Sequence, residues 1–208
     1  VPDTATTITI TGAISATGRQ IFSGAGVIVL SSARIPMFLP VWWGAVGDGV
    51  ANDTLAIQLA INCAQTAGGG VVWLAAGTYK ILTTLTITVS KVILQGASQY
   101  GTILSCSNGS ANGIAIGFQA GYVQGVSVRN LTILGVTKTG GYAIAGSRVA
   151  NCVVSDVSIQ NAWGGISVAI LNNFTIQSSE IILGYAAAGI AGISWTSPAN
   201  GTDRSDVL

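Results

Sequence analysis

The chain has 208 residues, 28 glycines, no histidine, and eight Lys or Arg against seven Asp or Glu. An average soluble domain is about 25% charged, so a charged share of 7% and a net charge of +1 leave no field to gather a polyanion, and a nucleic-acid partner is excluded. Half the residues are hydrophobic and mean hydropathy is +0.63, which excludes disorder, and the length suits one domain with a short arm.

Residues 1–40 read as a strand-rich arm. Thr7 to Thr11 alternates at period two, Val27 to Leu30 is a second apolar run, and Gly12, Gly18, Gly24 and Gly26 mark turns. Residues 41–82 carry the one strong helix pattern, over 53–67. Ile57, Ala60, Ile61 and Ala64 share a face, Asp53 is expected as its N-cap, and Gly68 to Gly70 stop it. Leu55 and Leu59 fall on the opposite side, so the helix should lie between the main body and either the arm or a partner subunit. Cys63, Cys106 and Cys152, an odd count with wide spacing, read as buried small hydrophobes.

From residue 83 to 208 short β-rich runs recur, separated by Gly, Asn and Ser. Val126 to Ile133, Cys152 to Ile159 and Phe174 to Ile181 share one pattern, at offsets of 26 and 22 residues. Apolar residues stand first and third in each segment, then mostly sixth and eighth. The inward parity therefore flips once, which a straight strand cannot do. Each segment is two short strands joined by a bend at Asn130, Asp156 or Ser178, where short polar side chains can stack. Further small strands are expected near 113–116, 142–145, 165–168 and 189–193. Three strands per coil without hairpin spacing define a parallel β-helix, an all-β solenoid burying one continuous apolar column. The helix would close its open end. No apolar segment approaches the roughly 20 residues of a membrane span, so no membrane insertion is expected.

The run Trp43 to Gln58, with Gly44, Gly47, Asp48, Gly49, Asp53, Thr54, Ile57 and Gln58, followed by Gly69 to Ile81 with Gly77 and Tyr79, resembles the N-terminal signature of the pectate-lyase-like superfamily. It departs at Asn52, where that signature favours Asp, and at Ala75 or Ala76, where it favours Pro. The resemblance implies a right-handed single-stranded parallel β-helix with an N-terminal capping helix. It does not fix function, since polygalacturonases, lyases, glucanases, phage tailspikes and non-catalytic adhesive proteins share it. The lead-in Gln20 to Gly26 and Pro40 to Gly44 resembles that of phage and bacterial surface proteins. This implies a virion tail or head spike, or an extracellular surface protein, assembled as a homotrimer or larger and meeting a cell-surface polysaccharide.

Glycosidases need paired carboxylates. From 92 to 202 the only acids are Asp156 and Glu180, whose register would set them about 8 Å apart. They are the weak catalytic candidates, and the bend role outweighs catalysis for Asp156. In the resembled enzymes catalytic groups project mostly from the strand after the long turn, here 142–145, 165–169 and 189–194, which is made of Ala, Ile, Gly, Ser and Val. No cofactor or metal is expected. Gly47-Asp48-Gly49 lacks the other oxygen ligands of a calcium loop, and Gly68 to Gly70 follows a helix rather than preceding one. The expected function is a structural or receptor-binding spike without activity of its own. The rival is a polysaccharide depolymerase with catalytic coils outside this chain or across a subunit boundary. The charged ending Asp203 to Leu208, with no capping helix, fits a truncated or docked end.

Overall fold

In the computed structural model, which describes residues 7–14, 16, 18–23, 27–30, 37–118, 121–183, 192–196 and 205–207, Asn130, Asp156 and Ser178 have left-handed backbone, with φ of 55°, 53° and 48°. One such residue turns the chain and resets which parity faces inward. Val128, Val154 and Ile176 before the bend, and Ile133 and Ile159 after it, are therefore all in the core. The strands pair in parallel in the expected register, Ser127 with Val153 and Val153 with Thr175.

Three ladders of stacked parallel strands run along the molecule in about five turns. Ladder A takes Met37–Phe38, Gly70–Leu74, Val92–Gly96, then 127–129, 152–155, 174–177 and Ser205–Val207. Ladder B takes Asp48–Asn52, Gly77–Ile81, Thr102–Cys106, then 132–135, 158–162 and Glu180–Leu183. Ladder C takes Leu85–Ile87, Ile114–Gly117, then 144–147, 166–169 and Ile193–Thr196. Leu94, Leu104, Ile114, Val128 and Ile144 from different ladders are fully buried. Each such side chain contributes about 1.5–3 kcal/mol by leaving water, which is what holds coil on coil.

On ladder C the first strand, Leu85–Ile87, has no strand beneath it, and the helix Thr54–Thr66 takes that place. Ile57, Ala60, Ile61 and Ala64 are buried against the coil. Side-chain amides do the work of the missing strand. Gln58 Oε1 accepts from the Thr86 N–H at 2.8 Å while its Nε2 donates to the Thr86 carbonyl at 3.0 Å. Gln65 Oε1 accepts from Thr88 N at 2.6 Å and Val89 N at 3.1 Å, and Thr54 Oγ1 accepts from Leu82 N at 2.8 Å. Edge groups that would otherwise face solvent or another chain are thus satisfied.

In the arm, Thr7–Ile10 and Val27–Leu30 pair in parallel, and the second strand lies on the helix, where Cys63 Sγ donates to the Ile28 carbonyl at 3.2 Å. The expected sandwich forms only in part: Leu59 is half-buried, but Leu55 is 67% exposed. Two further expectations are corrected. Asp53 sits at the N-cap position, but its carboxylate makes no bond to the helix and turns back to the preceding loop. Asn52 Oδ1 accepts from Thr54 N instead, at 3.1 Å. Among the described residues no hydrogen bond links the side chains of Asn130, Asp156 and Ser178. The stacked pair stands at the corner between ladders C and A, where Asn173 Nδ2 donates to Asn151 Oδ1 at 3.0 Å. All three cysteines are free and buried. No helix among the described residues is long and apolar enough to cross a membrane.

Candidate functional site

The signature residues form a backbone knot at the capped end. Asp48 Oδ1 accepts from Val50 N and Ala51 N, both at 2.8 Å, and these bonds, Ala51 first, hold its carboxyl below the usual aspartate range. The buried Asp53 carboxylate accepts from Val46 N at 2.7 Å and Gly47 N at 3.2 Å. Gly47 has φ of +71°, and a β-carbon there would lie 3.0 Å from the Tyr79 ring. A β-carbon on Gly77, at φ +156°, would meet the Gly47 carbonyl at 2.7 Å. Tyr79 donates its hydroxyl to the Ala75 carbonyl at 3.1 Å, and its pKa is raised chiefly by burial and further by the Asp53 charge. Gly44 ends the 3-10 turn Pro40–Trp43 in left-handed backbone, and Gly49 lies in the Asp48 turn. Thr54, Ile57 and Gln58 complete the knot through the helix contacts above. Both carboxylates here accept from backbone N–H groups and so tie the loop down at the capped end.

The two weak catalytic candidates lie one rung and two residues apart in the register. Asp156 is exposed at the corner between ladders A and B, whereas Glu180 lies on ladder B, paired in register with Ser158. Glu180 Oε1 accepts from Ser158 Oγ at 2.6 Å and from the Tyr100 hydroxyl at 3.1 Å. The Glu180 bond is the main cause of the raised Tyr100 pKa. Oε1 of Glu180 is thus held in place by two hydroxyls. Tyr100 belongs to the loop 97–101, so the Glu180 contact ties that loop across the outer face of ladder B. On ladder C the outward positions in register are Thr86, Ala115, Ala145, Ser167 and Ser194, which carry no titratable group. Among the described residues no three metal-ligating acid, Cys or His side chains cluster.

The outward face of ladder A is different. Trp73, Gln95, Arg129, Ser155 and Gln177 pair in succession, one per rung. At about 4.8 Å per rung the row extends about 19 Å along the solenoid. Gln95 Oε1 accepts from Arg129 Nε at 3.0 Å and from Nη2 at 2.8 Å, which fixes the guanidinium plane. At the Trp73 end the row opens into a cleft of about 380 Å³ lined by Gly18, Pro40, Val41, Val46, Trp73 and Tyr79. Sequence reasoning missed this row because loops put 34 residues between paired Ile93 and Ser127, against 22 between Val71 and Ile93. The usable signal is the fourth position of the ladder A strands Gly70–Leu74, Val92–Gly96, 152–155 and 174–177, and the third of 127–129.

Stacked parallel coils, three ladders, and a helix-closed first coil behind a Gly-Asp-Gly knot define a capped parallel β-helix protein. The family model "Rhamnogalacturonase A/epimerase, pectate lyase-like" matches residues 42–114, the knot, the helix and most of the first two coils. Mannuronan C5-epimerase AlgE4 of Azotobacter vinelandii is 34% identical over 102 residues, 45% of this chain and 18% of the epimerase. Depolymerase 1, capsule K30/K69-specific, of Klebsiella phage K5-2 is 28% identical over 179 residues, 76% of this chain and 22% of the depolymerase. The solved structure of ORF18 of Geobacillus virus E2 superposes with a TM-score of 0.65 at 21% identity, over 76% of this chain and 32% of that one. The chain thus spans less than a quarter of either curated relative.

Proposed function

We propose that these 208 residues are a β-helical segment of a virion-associated or extracellular spike, assembled as a homotrimer, that contacts cell-surface polysaccharide without cleaving it. The observation that carries the reading is the alignment with the capsule-specific phage depolymerase, which extends over 76% of this chain and so takes in coils as well as the knot. Contact rather than cleavage is supported by Glu180, whose Oε1 is held by two hydroxyls, and by the ladder C row Thr86, Ala115, Ala145, Ser167 and Ser194, which carries no titratable group. A depolymerase with catalytic groups on coils outside this chain is the second reading, favoured by the 22% of the phage enzyme that the chain matches. The test is to incubate the purified chain with a panel of neutral and acidic capsular polysaccharides, measuring binding by co-sedimentation and cleavage by reducing-end release. Binding without cleavage is expected. Cleavage abolished by Asp156→Asn or Glu180→Gln would overturn the non-catalytic reading, and failure to bind any member of the panel would overturn polysaccharide contact.

A further inference from the structure

We infer that the outward face of ladder A, the row from Trp73 to Gln177, is the saccharide-binding surface, and that Arg129 selects chains bearing carboxylates. This rests on the polysaccharide reading above and names its place and ligand class. Trp73 is half-buried and lines the apolar cleft, so it offers a ring face against which the C–H face of a pyranose can pack. Two rungs on, Arg129 is the only charged side chain between residues 92 and 137. Of its five N–H donors, Gln95 takes one from Nε and one from Nη2. The three others, including both on Nη1, have no acceptor among the described residues. Gln95 therefore orders the guanidinium and leaves its Nη edge for a planar, two-oxygen acceptor, the geometry of a carboxylate. Beyond the buried Ser155, Gln177 ends the row with an exposed amide, a group that hydrogen-bonds sugar hydroxyls of either sense. Trp73 and Arg129 stand about 10 Å apart along the ladder, so one extended chain lying along the axis could reach both.

The experiment uses the whole chain, with oligouronates and the same oligosaccharides after reduction of their carboxylates to hydroxymethyl groups, by calorimetry at two salt concentrations. The oligouronates are expected to bind at least about ten-fold more tightly than the reduced forms, with the preference shrinking as salt rises. Arg129→Ala should erase the preference, and Arg129→Lys should keep part of it by charge while losing the two-pronged bond. Trp73→Ala should weaken both ligands alike. Ser167→Tyr, on the outward face of ladder C, should change neither. Circular dichroism melts confirm that each variant folds. Equal affinity for acidic and reduced forms, an unchanged preference in Arg129→Ala, no binding of either, or loss of binding in Ser167→Tyr would overturn the inference. Binding of neutral capsular polysaccharides alone would overturn it while leaving the polysaccharide reading standing.

Discussion

At the scale of single residues, the capped end depends on carboxylates used as backbone acceptors. Asp53 is 1% exposed and satisfies two loop N–H groups that no other acceptor serves. Replacing it with Ala leaves both donors without their carboxylate acceptor, so Asp53→Ala should cost about 1–3 kcal/mol in denaturant unfolding, and Asp53→Asn, which keeps one oxygen, should cost less. Asp48 does the same job at the surface, where it is measurable by pH. Its folded pKa lies below the ordinary value of 3.8, so its contribution is present above that value and is lost as pH falls through the folded pKa. Thermal melts between pH 6 and pH 2 should therefore show a shallower acid decline for Asp48→Asn than for the native chain. An identical decline would mean that the Val50 and Ala51 bonds do not persist in solution.

At the scale of elements, the helix Thr54–Thr66 is held to the first coil by packing on one face and by Gln58 and Gln65 at the strand edge. Gln58→Leu keeps the volume and removes both bonds to Thr86, so it should cost about 1–3 kcal/mol and raise amide exchange at Leu85–Ile87 before it affects ladder A or B. Uniform exchange across all ladders would show that the amide does not act as a local edge cap. The helix itself was legible in the sequence because its periodicity and its glycine stop are local signals. So was the bend between ladders A and B, since only a left-handed residue lets apolar parity flip between Val128 and Leu131. Which residue would cap the helix was not legible. Asn52, Asp53 and Thr54 all suit that role, and the choice is made by a loop, Val46–Gly47, whose N–H groups compete for Asp53. The ladder A row was hidden for a related reason, because loops of unequal length separate its rungs and only stacking brings Trp73, Gln95 and Arg129 into line.

At the scale of the molecule, a solenoid distributes its stability over interfaces between neighbouring coils, so damage spreads from a buried rung. Val128 is fully buried, between Leu94 on one coil and Val154 on the next. Val128→Asp would place an uncompensated charge there, and should cost several kcal/mol and lower the melting temperature of the whole β-helix rather than of one coil. The proposed assembly draws support from what the outside lacks. Only five charges, Arg129, Lys138, Arg148, Asp156 and Glu180, lie between residues 92 and 202, and Lys138 is itself 4% exposed. At the capped end Val46, Val50 and Leu55 are 62%, 75% and 67% exposed within ten residues of sequence. A surface with so few charges has little to keep copies of it apart, and large apolar side chains in water gain free energy when a partner covers them. The proposed trimer should therefore appear in sedimentation at micromolar concentration, and Leu55→Lys with Val50→Lys should shift it toward monomer while leaving the circular dichroism spectrum unchanged. A stable monomer at that concentration would remove the assembly from the proposal, and a trimer indifferent to both lysines would move its interface away from the capped end.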